Sequence, residues 1–575
     1  MERDVYDPLA RYRDEFKAKF AQLAGDKFSD LLKASGVDVA ANRAVVRRIH
    51  ALDRAADVQA GAVTRYGCLA ALGGLIAAVG GYVWWEGTLF RESGQPIALY
   101  CFLGIAFGVV FLCQMFKRRS QAESRLKQLQ GQSESARRKA WAQMEPLNRL
   151  FSWDIPLRLV EATVPRLAFD PFFTAKRLDD LRRLCGWNDT FNEERSVIGA
   201  QSGVINGNPF VFGDCLERNW GTKTYEGSLE ISWMEEEEDS EGRTHRVRRY
   251  QTLYATVEKP IPVYSHRKFV IYGNDAAPNL SFTRNPSVLS GAENGFFTNL
   301  RRGWQLRKLK KLSRNLDDDS QYTLMSNHEF ETLFQTTDRD NEVEYRLLFT
   351  ALAQTQMLLL LKDRTIGYGD DFRFVKRRRI NFLEPDHLAE ASIDTDPAHF
   401  HHWSVDEARR IFQSFNEKFF KDVYFALAPI LAIPLYQQTR PHADIWKGIA
   451  PESPSSFWEH ESLANYFGEQ AFAHPDCATH CILKTNVLER SADQTRVAVT
   501  AYGYRAETRV DYESVFGGDG YWHEVPVEWD EYLPVENVRE IALTERTQPS
   551  ARFATGYGNS PQAVYRRSIY SFLGH

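Results

Sequence analysis

The chain has 575 residues, of which 26% are charged and 43% hydrophobic, and its mean hydropathy is −0.42. This composition is typical of a largely soluble protein. The net charge of −5 excludes a generally basic nucleic-acid binder, although it allows a local basic patch. The seven cysteines lack the spacing of a disulfide framework, which indicates reduced thiols in a cytosolic compartment.

Residues 1–65 are predicted to form amino-terminal cytosolic helices. Asp38 is the predicted cap of a second helix, which runs on toward residue 65. In the first helix, apolar side chains recur at spacings of three and four, as on one face of a helix: Leu9, Tyr12, Phe16, Phe20 and Leu23.

Residues 66–116 are predicted to form a two-span transmembrane hairpin. Tyr66–Trp85 and Pro96–Phe116 contain no charged residue, and each is long enough as a helix to cross about 30 Å of hydrocarbon. A cleavable signal peptide is excluded by position, because a long polar segment precedes the first span. Neither span contains an ionisable Asp, Glu, Lys, Arg or His, which argues against a channel or transporter.

The flanking charges predict the orientation of this hairpin. The loop between the spans contains one cationic residue, Arg91, whereas several cations precede the first span and follow the second. Positive charge stays on the cytoplasmic side, so both termini are expected there.

Small residues recur every fourth position in both spans and predict close helix packing in lipid. Packing of the two spans on each other is favoured, and pairing with a second copy of the chain is the alternative. The first span contains two such sets, Ala70, Gly74 and Ala78 in one and Gly73, Ala77 and Gly81 in the other. The second span contains the pair Gly104 and Gly108.

The remaining chain is predicted to be α+β. Residues 117–150 form a charged helical stalk that ends near Pro146. Residues 151–450 form a cytosolic α+β domain with strand-like runs between 194 and 273 and a further strand at FRFVKRRRINFL. Asn327 and Ser404 are predicted helix caps, and the run 423–436 is too short to span and is predicted to be buried or interfacial. Residues 451–575 form a strand-rich carboxyl-terminal domain.

The stretch from Tyr322 to Leu383 resembles an uncharacterised bacterial family, a domain of unknown function. It contains MSNHEFETLFQTTDRDNEVEYRLLFTALAQTQMLLL and then FRFVKRRRINFL, and the upstream YQTLYATVEKPIPVY fits the strand that precedes this unit in the family. The residues that carry the resemblance are Phe330, Phe334, Asp340, Glu344, Tyr345, Leu348 and Thr350.

This resemblance implies a helical stalk, a two-span membrane hairpin and a cytosolic α+β domain, often encoded near LemA-type membrane proteins. It covers the architecture of residues 1–385, and the chain after Glu384 departs from it as an extension. The family has no established catalytic residues, so the resemblance assigns none here.

A basic stretch, Arg301–Asn315, combines seven cations with apolar residues and contains no acid before Asn315. Such a segment is suited to anionic lipid head groups on the inner leaflet, and a solvated linker or a nucleic-acid contact are the alternatives. A lipid bilayer, an unidentified protein and a second copy of the chain are the expected partners, and no nucleic acid is expected.

The sequence contains no phosphate-binding loop, dinucleotide fingerprint, nucleophile elbow or HExxH motif. His474, Cys477, His480 and Cys481 offer zinc-type ligands, but their spacing is not that of an established zinc finger. We therefore assign no catalytic, cofactor or metal residues. The sequence favours a membrane-anchored cytosolic interaction or scaffold protein, and the alternative is a membrane-bound enzyme, for example zinc-dependent, with a site assembled from distant residues.

Overall fold

The computed structural model describes residues 5–89, 95–188, 193–238, 244–287, 307–308, 311, 322–391, 393–450, 453–491, 494–545, 562–565 and 568–572. For residues 84, 86–89, 95–101, 545, 562–565 and 568–572 it describes the backbone alone. The helices are α1 (Pro8–Arg11), α2 (Lys17–Ser35), α3 (Val39–Leu89), α4 (Gln95–Asn148), α5 (Ile155–Thr163), α6 (Ala175–Asp180), α7 (His328–Phe334), α8 (Glu342–Leu348), α9 (Ala351–Lys362), α10 (Val405–Leu431), α11 (Pro434–Gln438), α12 (Ala443–Trp446) and α13 (Phe457–Phe467).

The strands form two antiparallel sheets, of seven strands in the order β1-β2-β3-β4-β7-β6-β5 and of five in the order β11-β12-β10-β9-β8. The strands are β1 (Leu167–Phe169), β2 (Arg195–Ile205), β3 (Asn208–Glu238), β4 (Thr244–Gly273), β5 (Ser281–Arg284), β6 (Phe372–Arg377), β7 (Ile380–Pro385), β8 (Ile482–Arg490), β9 (Thr495–Phe516), β10 (Trp522–Glu545), β11 (Gln562–Tyr565) and β12 (Ser568–Phe572). The predicted mixed α+β class and the strand-rich carboxyl-terminal region are confirmed.

The chain divides into two compact units. The helical unit comprises residues 25–151 and 397–414, and the body unit comprises residues 1–24, 152–396 and 415–575. The predicted division into five segments is a finer one and stays a prediction.

In the helical unit, α3 and α4 lie antiparallel and approach closely through glycine. A Cβ atom built on Gly108 would lie 2.8 Å from the backbone nitrogen of Ala77 and 2.9 Å from the carbonyl oxygen of Gly73. The helix backbones therefore touch at this point, which confirms that these small residues pack one helix on the other. A Cβ atom built on Gly104 or on Gly81 would have no atom of the described residues within 4 Å.

The segment Val39–Val83 of α3 is the one described helix that is long and apolar enough to cross a membrane, and an 18-residue stretch within it has a mean hydropathy of 1.6. Its apolar side chains are exposed rather than packed in a protein core, as Leu75 and Tyr82 are 61% and 62% exposed. The second predicted span lies in α4, where the side chains of residues 95–101 are outside the described set. The structure thus describes one candidate membrane helix.

Polar contacts join α3 and α4 beyond the apolar segments. The hydroxyl of Ser133 and the guanidinium of Arg137 donate to the two carboxylate oxygens of Asp53, at 2.5 and 2.8 Å. Asp38 accepts a hydrogen bond from the backbone of Ala41, which confirms the predicted cap. The helix α4 reaches Asn148 with Pro146 in its last turn, close to the predicted end of the stalk.

The body unit contains two long β-hairpins that pack face to face. Residues of β3 and β4 meet residues of β10 in one apolar cluster that contains Ile231, Leu253 and Val527. The sequence predicted separate, shorter strand-like runs in the β3–β4 region, and the structure joins them into strands of 31 and 30 residues. The FRFVKRRRINFL run, predicted as one strand, is instead the hairpin β6–β7, because Arg378 takes a left-handed turn conformation with φ of 55°.

The predicted caps and buried segment of the body are also confirmed. The Asn327 side chain accepts from the backbone of Phe330, and residues 423–434 are buried without interruption. Tyr424 within that segment donates to the carbonyl of Pro8 at 2.8 Å. In the helical unit, Ser404 accepts from the backbone of Glu407 at 3.5 Å.

Candidate binding cleft

The body unit contains a cleft of about 1780 Å³. Its walls come from α5, from the segment 166–177, from the turn between β2 and β3, and from residues 437–450. Clefts that hold drug-sized ligands are usually about 300–1,000 Å³, so this one has room for an extended chain segment.

Arg177 lies at the cleft and is only 3% exposed. It occupies the first turn of α6, which begins at Thr174, whose hydroxyl caps the helix by accepting from the Arg177 backbone at 3.1 Å. Its Nε and Nη2 donate to the two oxygens of Asp170 at 2.9 and 3.0 Å. The buried Nη1 has no hydrogen-bond partner among the described residues.

The two-residue turn Asn206–Gly207 between β2 and β3 forms another part of the wall. Both residues have positive φ, at 51° and 84°, as this tight hairpin turn requires. A Cβ atom on Gly207 would lie 2.9 Å from the ring of Pro441, so only glycine fits against the 437–450 segment. The Asn206 side-chain oxygen is buried without a described partner.

An exposed tryptophan and several cations surround the opening. Trp446 is 71% exposed, and the nearby Arg440 and Lys447 are exposed as well. Lys447 lies 3.2 Å from Asp444, whereas Arg440 forms no ion pair within the described part of the chain. The cleft therefore presents an aromatic surface beside unneutralised positive charge.

The three carboxylates that line the cleft are all held by neighbouring groups. Asp170 accepts from Arg177 and from the Ser202 hydroxyl at 2.7 Å. Glu161 accepts from Arg158 at 2.8 Å and from the Phe169 backbone at 2.6 Å. Asp154 accepts from a neighbouring serine at 2.6 Å. The acids thus bind neighbouring groups of the cleft walls.

The sequence-predicted histidine and cysteine cluster lies elsewhere in the body unit and does not converge on one point. The Sγ atoms of Cys477 and Cys481 are 3.5 Å apart. His480 faces Glu469 at 2.7 Å, and His474 accepts from the Asp476 backbone at 3.1 Å. Among the described residues, no group of three or more potential ligands is arranged to hold a metal ion.

The structure also brings together a serine and a histidine, Ser455 and His460, which the sequence analysis did not identify. The Ser455 Oγ lies 3.0 Å from His460 Nε2, which is nucleophile-to-base geometry. Both residues are at least 97% buried, and neither lines the cleft. Burial lowers the pKa of His460 to about 4. The pair is therefore closed to substrate in this structure and serves the core.

The basic stretch Arg301–Asn315 lies outside the described residues except for Arg307, Lys308 and Lys311, which are exposed. Its role in binding lipid stays a prediction.

Sequence reasoning did not find the cleft, because its walls come from segments separated by more than 200 residues. Asn206–Gly207 is a recognisable hairpin signal, but a turn alone does not indicate a binding site.

No family model, curated protein or solved structure matches the chain. The resemblance carried by Phe330 to Thr350 therefore stays a prediction, and the cleft must be interpreted from its own chemistry.

Proposed function

We propose that the chain is a membrane-anchored interaction protein that binds an extended segment of a partner protein in the cleft of its body unit. The observation that carries this proposal is the cleft itself, whose 1780 Å³ combines open apolar surface with polar groups that have no hydrogen-bond partner among the described residues. A polypeptide segment supplies both kinds of contact along its length. The exposed ring of Trp446 provides the aromatic surface that is enriched at protein interfaces.

The anchor is proposed to be a two-span hairpin in a bacterial inner membrane, with both termini in the cytoplasm. The close contact of Gly73 and Gly108 supports it, because small residues allow backbones to approach in lipid. Exposed apolar side chains on the described part of α4 support it as well, as Phe102 and Phe107 are 68% and 63% exposed. Reporter fusions in the loop at residue 92 and at the carboxyl terminus should give opposite signals, and matching signals would overturn this topology.

The enzyme alternative has less support. The one nucleophile-to-base pair described above, Ser455 and His460, is buried and lies away from the cleft. The thiols of Cys477 and Cys481 are 3.5 Å apart, but His480 contacts Glu469 and His474 contacts the Asp476 backbone.

A site-specific photocrosslinker tests the proposed binding. Benzoylphenylalanine is placed at Trp446 in one variant and at Trp522 in a control, since these residues are 71% and 70% exposed. We expect a crosslinked partner from native membranes at position 446 only, mapped by mass spectrometry to one segment. A synthetic peptide of that segment should compete with the adduct.

Equal crosslinking at positions 446 and 522, or an adduct that the peptide does not reduce, would contradict the proposal. An adduct with a second copy of this chain would identify the partner segment as its own.

A further inference from the structure

We infer that the cleft selects an acidic partner segment, one that places a carboxylate among Arg177, Arg440 and the neighbouring cations. This inference rests on the proposed function, because it names the chemistry of the segment that the cleft would bind.

The charges that line the cleft are unequal. Among the described residues, five cationic side chains line it, against three carboxylates. The cations are Arg158, Arg166, Arg177, Arg440 and Lys447. Each carboxylate already accepts hydrogen bonds from neighbouring groups, as described above. The surplus charge is therefore positive and complements an acidic ligand.

Arg177 supplies the most specific feature. Its carboxylate partner Asp170 occupies Nε and Nη2, which leaves Nη1 without an acceptor among the described residues. A buried donor without a partner is energetically unfavourable. A carboxylate that reaches Nη1 removes this cost and forms a charge-assisted hydrogen bond.

The walls favour a peptide over an acidic lipid as the carrier of that carboxylate. The buried Asn206 oxygen also lacks a described partner and requires an N–H or O–H donor. A polypeptide backbone provides an N–H group at nearly every residue, whereas an acyl chain provides none. Apolar side chains of the same segment would pack on the indole of Trp446 and on Ile449 at the cleft.

The test uses the full chain in a neutral maltoside detergent and a degenerate nonapeptide library as the probe. We expect the bound peptides to be enriched in Asp and Glu over Asn and Gln at one position. Replacing that acid by its amide in a selected peptide should weaken binding by at least tenfold. Raising the salt concentration from 0.05 to 0.5 M should weaken the binding of the acidic peptide more than that of its amide counterpart, since the Debye length falls well below 10 Å.

Matched variants locate the effect in the cleft. Arg440→Gln should lower the affinity for the acidic peptide by about threefold to tenfold and leave the affinity for its amide counterpart unchanged. Arg248→Gln, at an exposed position on β4, should change neither. Arg177→Lys keeps the charge but removes the guanidinium fork, so the preference for acid over amide should fall. Because Arg440 is exposed, its variant remains informative if the Arg177 variant does not fold.

The outcomes separate the two proposals. Bound peptides without acid enrichment would overturn this inference and leave the cleft as a peptide site. No peptide bound above the level of Trp446→Ala would overturn both. Enrichment of acids that Arg440→Gln does not reduce would place the acidic site outside the cleft and also overturn the inference.

Discussion

The ring of Phe20 stacks on the ring of Phe420, with 4.3 Å between centroids and 3° between planes, although most of the chain lies between them. Phe20 is 1% exposed, and the rings of Tyr12 and Phe16 contact the ring of Tyr424 at interplanar angles of 32° and 75°. The first 24 residues are therefore part of the core of the body unit.

Replacing Phe20 with alanine tests that role. Removing a fully buried phenyl ring should lower the free energy of unfolding by about 3–5 kcal/mol. The midpoint of denaturant unfolding, followed by tryptophan fluorescence of the detergent-solubilised chain, measures the change. Phe516→Ala is the matched control, because Phe516 is 55% exposed and its loss should change the stability by about 0.5 kcal/mol. Equal effects of the two substitutions would show that the amino-terminal segment does not support the core.

The sequence predicted the helix of Phe20 but not its partner. The spacing of Tyr12, Phe16 and Phe20 follows from the geometry of one helix and can be read locally. The contact with Phe420 depends on how distant segments fold back, and no local pattern encodes that choice. The same reason explains why the sequence did not predict the cleft, since Arg177 and Trp446 line it but are far apart in sequence.

Gly108 and Gly104 provide a matched pair for the packing of α3 and α4. A Cβ atom at Gly108 meets backbone atoms of α3 at 2.8–2.9 Å, whereas a Cβ atom at Gly104 meets no atom of the described residues within 4 Å. Gly108→Ile should therefore lower the melting temperature of the detergent-solubilised chain, at a cost of about 1–3 kcal/mol for overpacking. Gly104→Ile should leave it nearly unchanged.

If Gly104→Ile instead disrupts a dimer seen by light scattering, the open glycine face binds a second copy. If both variants melt like the parent chain, the close contact at Gly108 is absent in solution.

His460 should make the stability of the chain depend on pH in the acidic range. Its folded pKa of about 4 lies below the ordinary value of 6.5, because burial disfavours the charged ring. The unfolded chain then binds more protons between pH 4 and 6.5, so the free energy of unfolding falls as the pH falls through this window. The loss between pH 7 and 5 should be about 2 kcal/mol.

His460→Asn should remove this part of the pH dependence, whatever its effect on stability at pH 7. Denaturant titrations of the variant and its parent at pH 7, 6 and 5 give the difference in slope. His442→Asn is the control, because the side chain of His442 is 49% exposed. An unchanged slope in His460→Asn would mean that His460 titrates normally in the folded chain.

Cys477 and Cys481 should form a disulfide when the chain is treated with hydrogen peroxide. Their sulfur atoms are 3.5 Å apart, and Gly503 leaves the space that they occupy, since a Cβ there would lie 2.4 Å from the Cys477 sulfur. The two thiols lose two hydrogen atoms and the peroxide is reduced to two water molecules, so peptide mass spectrometry should show a loss of about 2 Da. Gly503→Ala should slow the reaction by displacing one thiol. Formation of sulfinic acid at Cys477 without a disulfide would contradict this geometry.

The basic stretch 301–315 is predicted to lie on anionic lipid, and trypsin can test this in the full chain. A fragment that starts at residue 151 is unsuitable, because it lacks the helix of Phe20 that packs in the body core. The chain is reconstituted in nanodiscs of neutral lipid or of anionic lipid. Each cation near an anionic surface contributes about 1 kcal/mol, so cleavage at Arg307 to Lys311 should be slower on the anionic discs. Salt at 0.5 M should restore the cleavage rate on the anionic discs, because screening shortens the range of the attraction.

Cleavage at Arg246 and Arg249, on the exposed β3–β4 hairpin, serves as the internal control and should be equal on both discs. Equal cleavage of the basic stretch on the two lipids would identify it as a solvated linker.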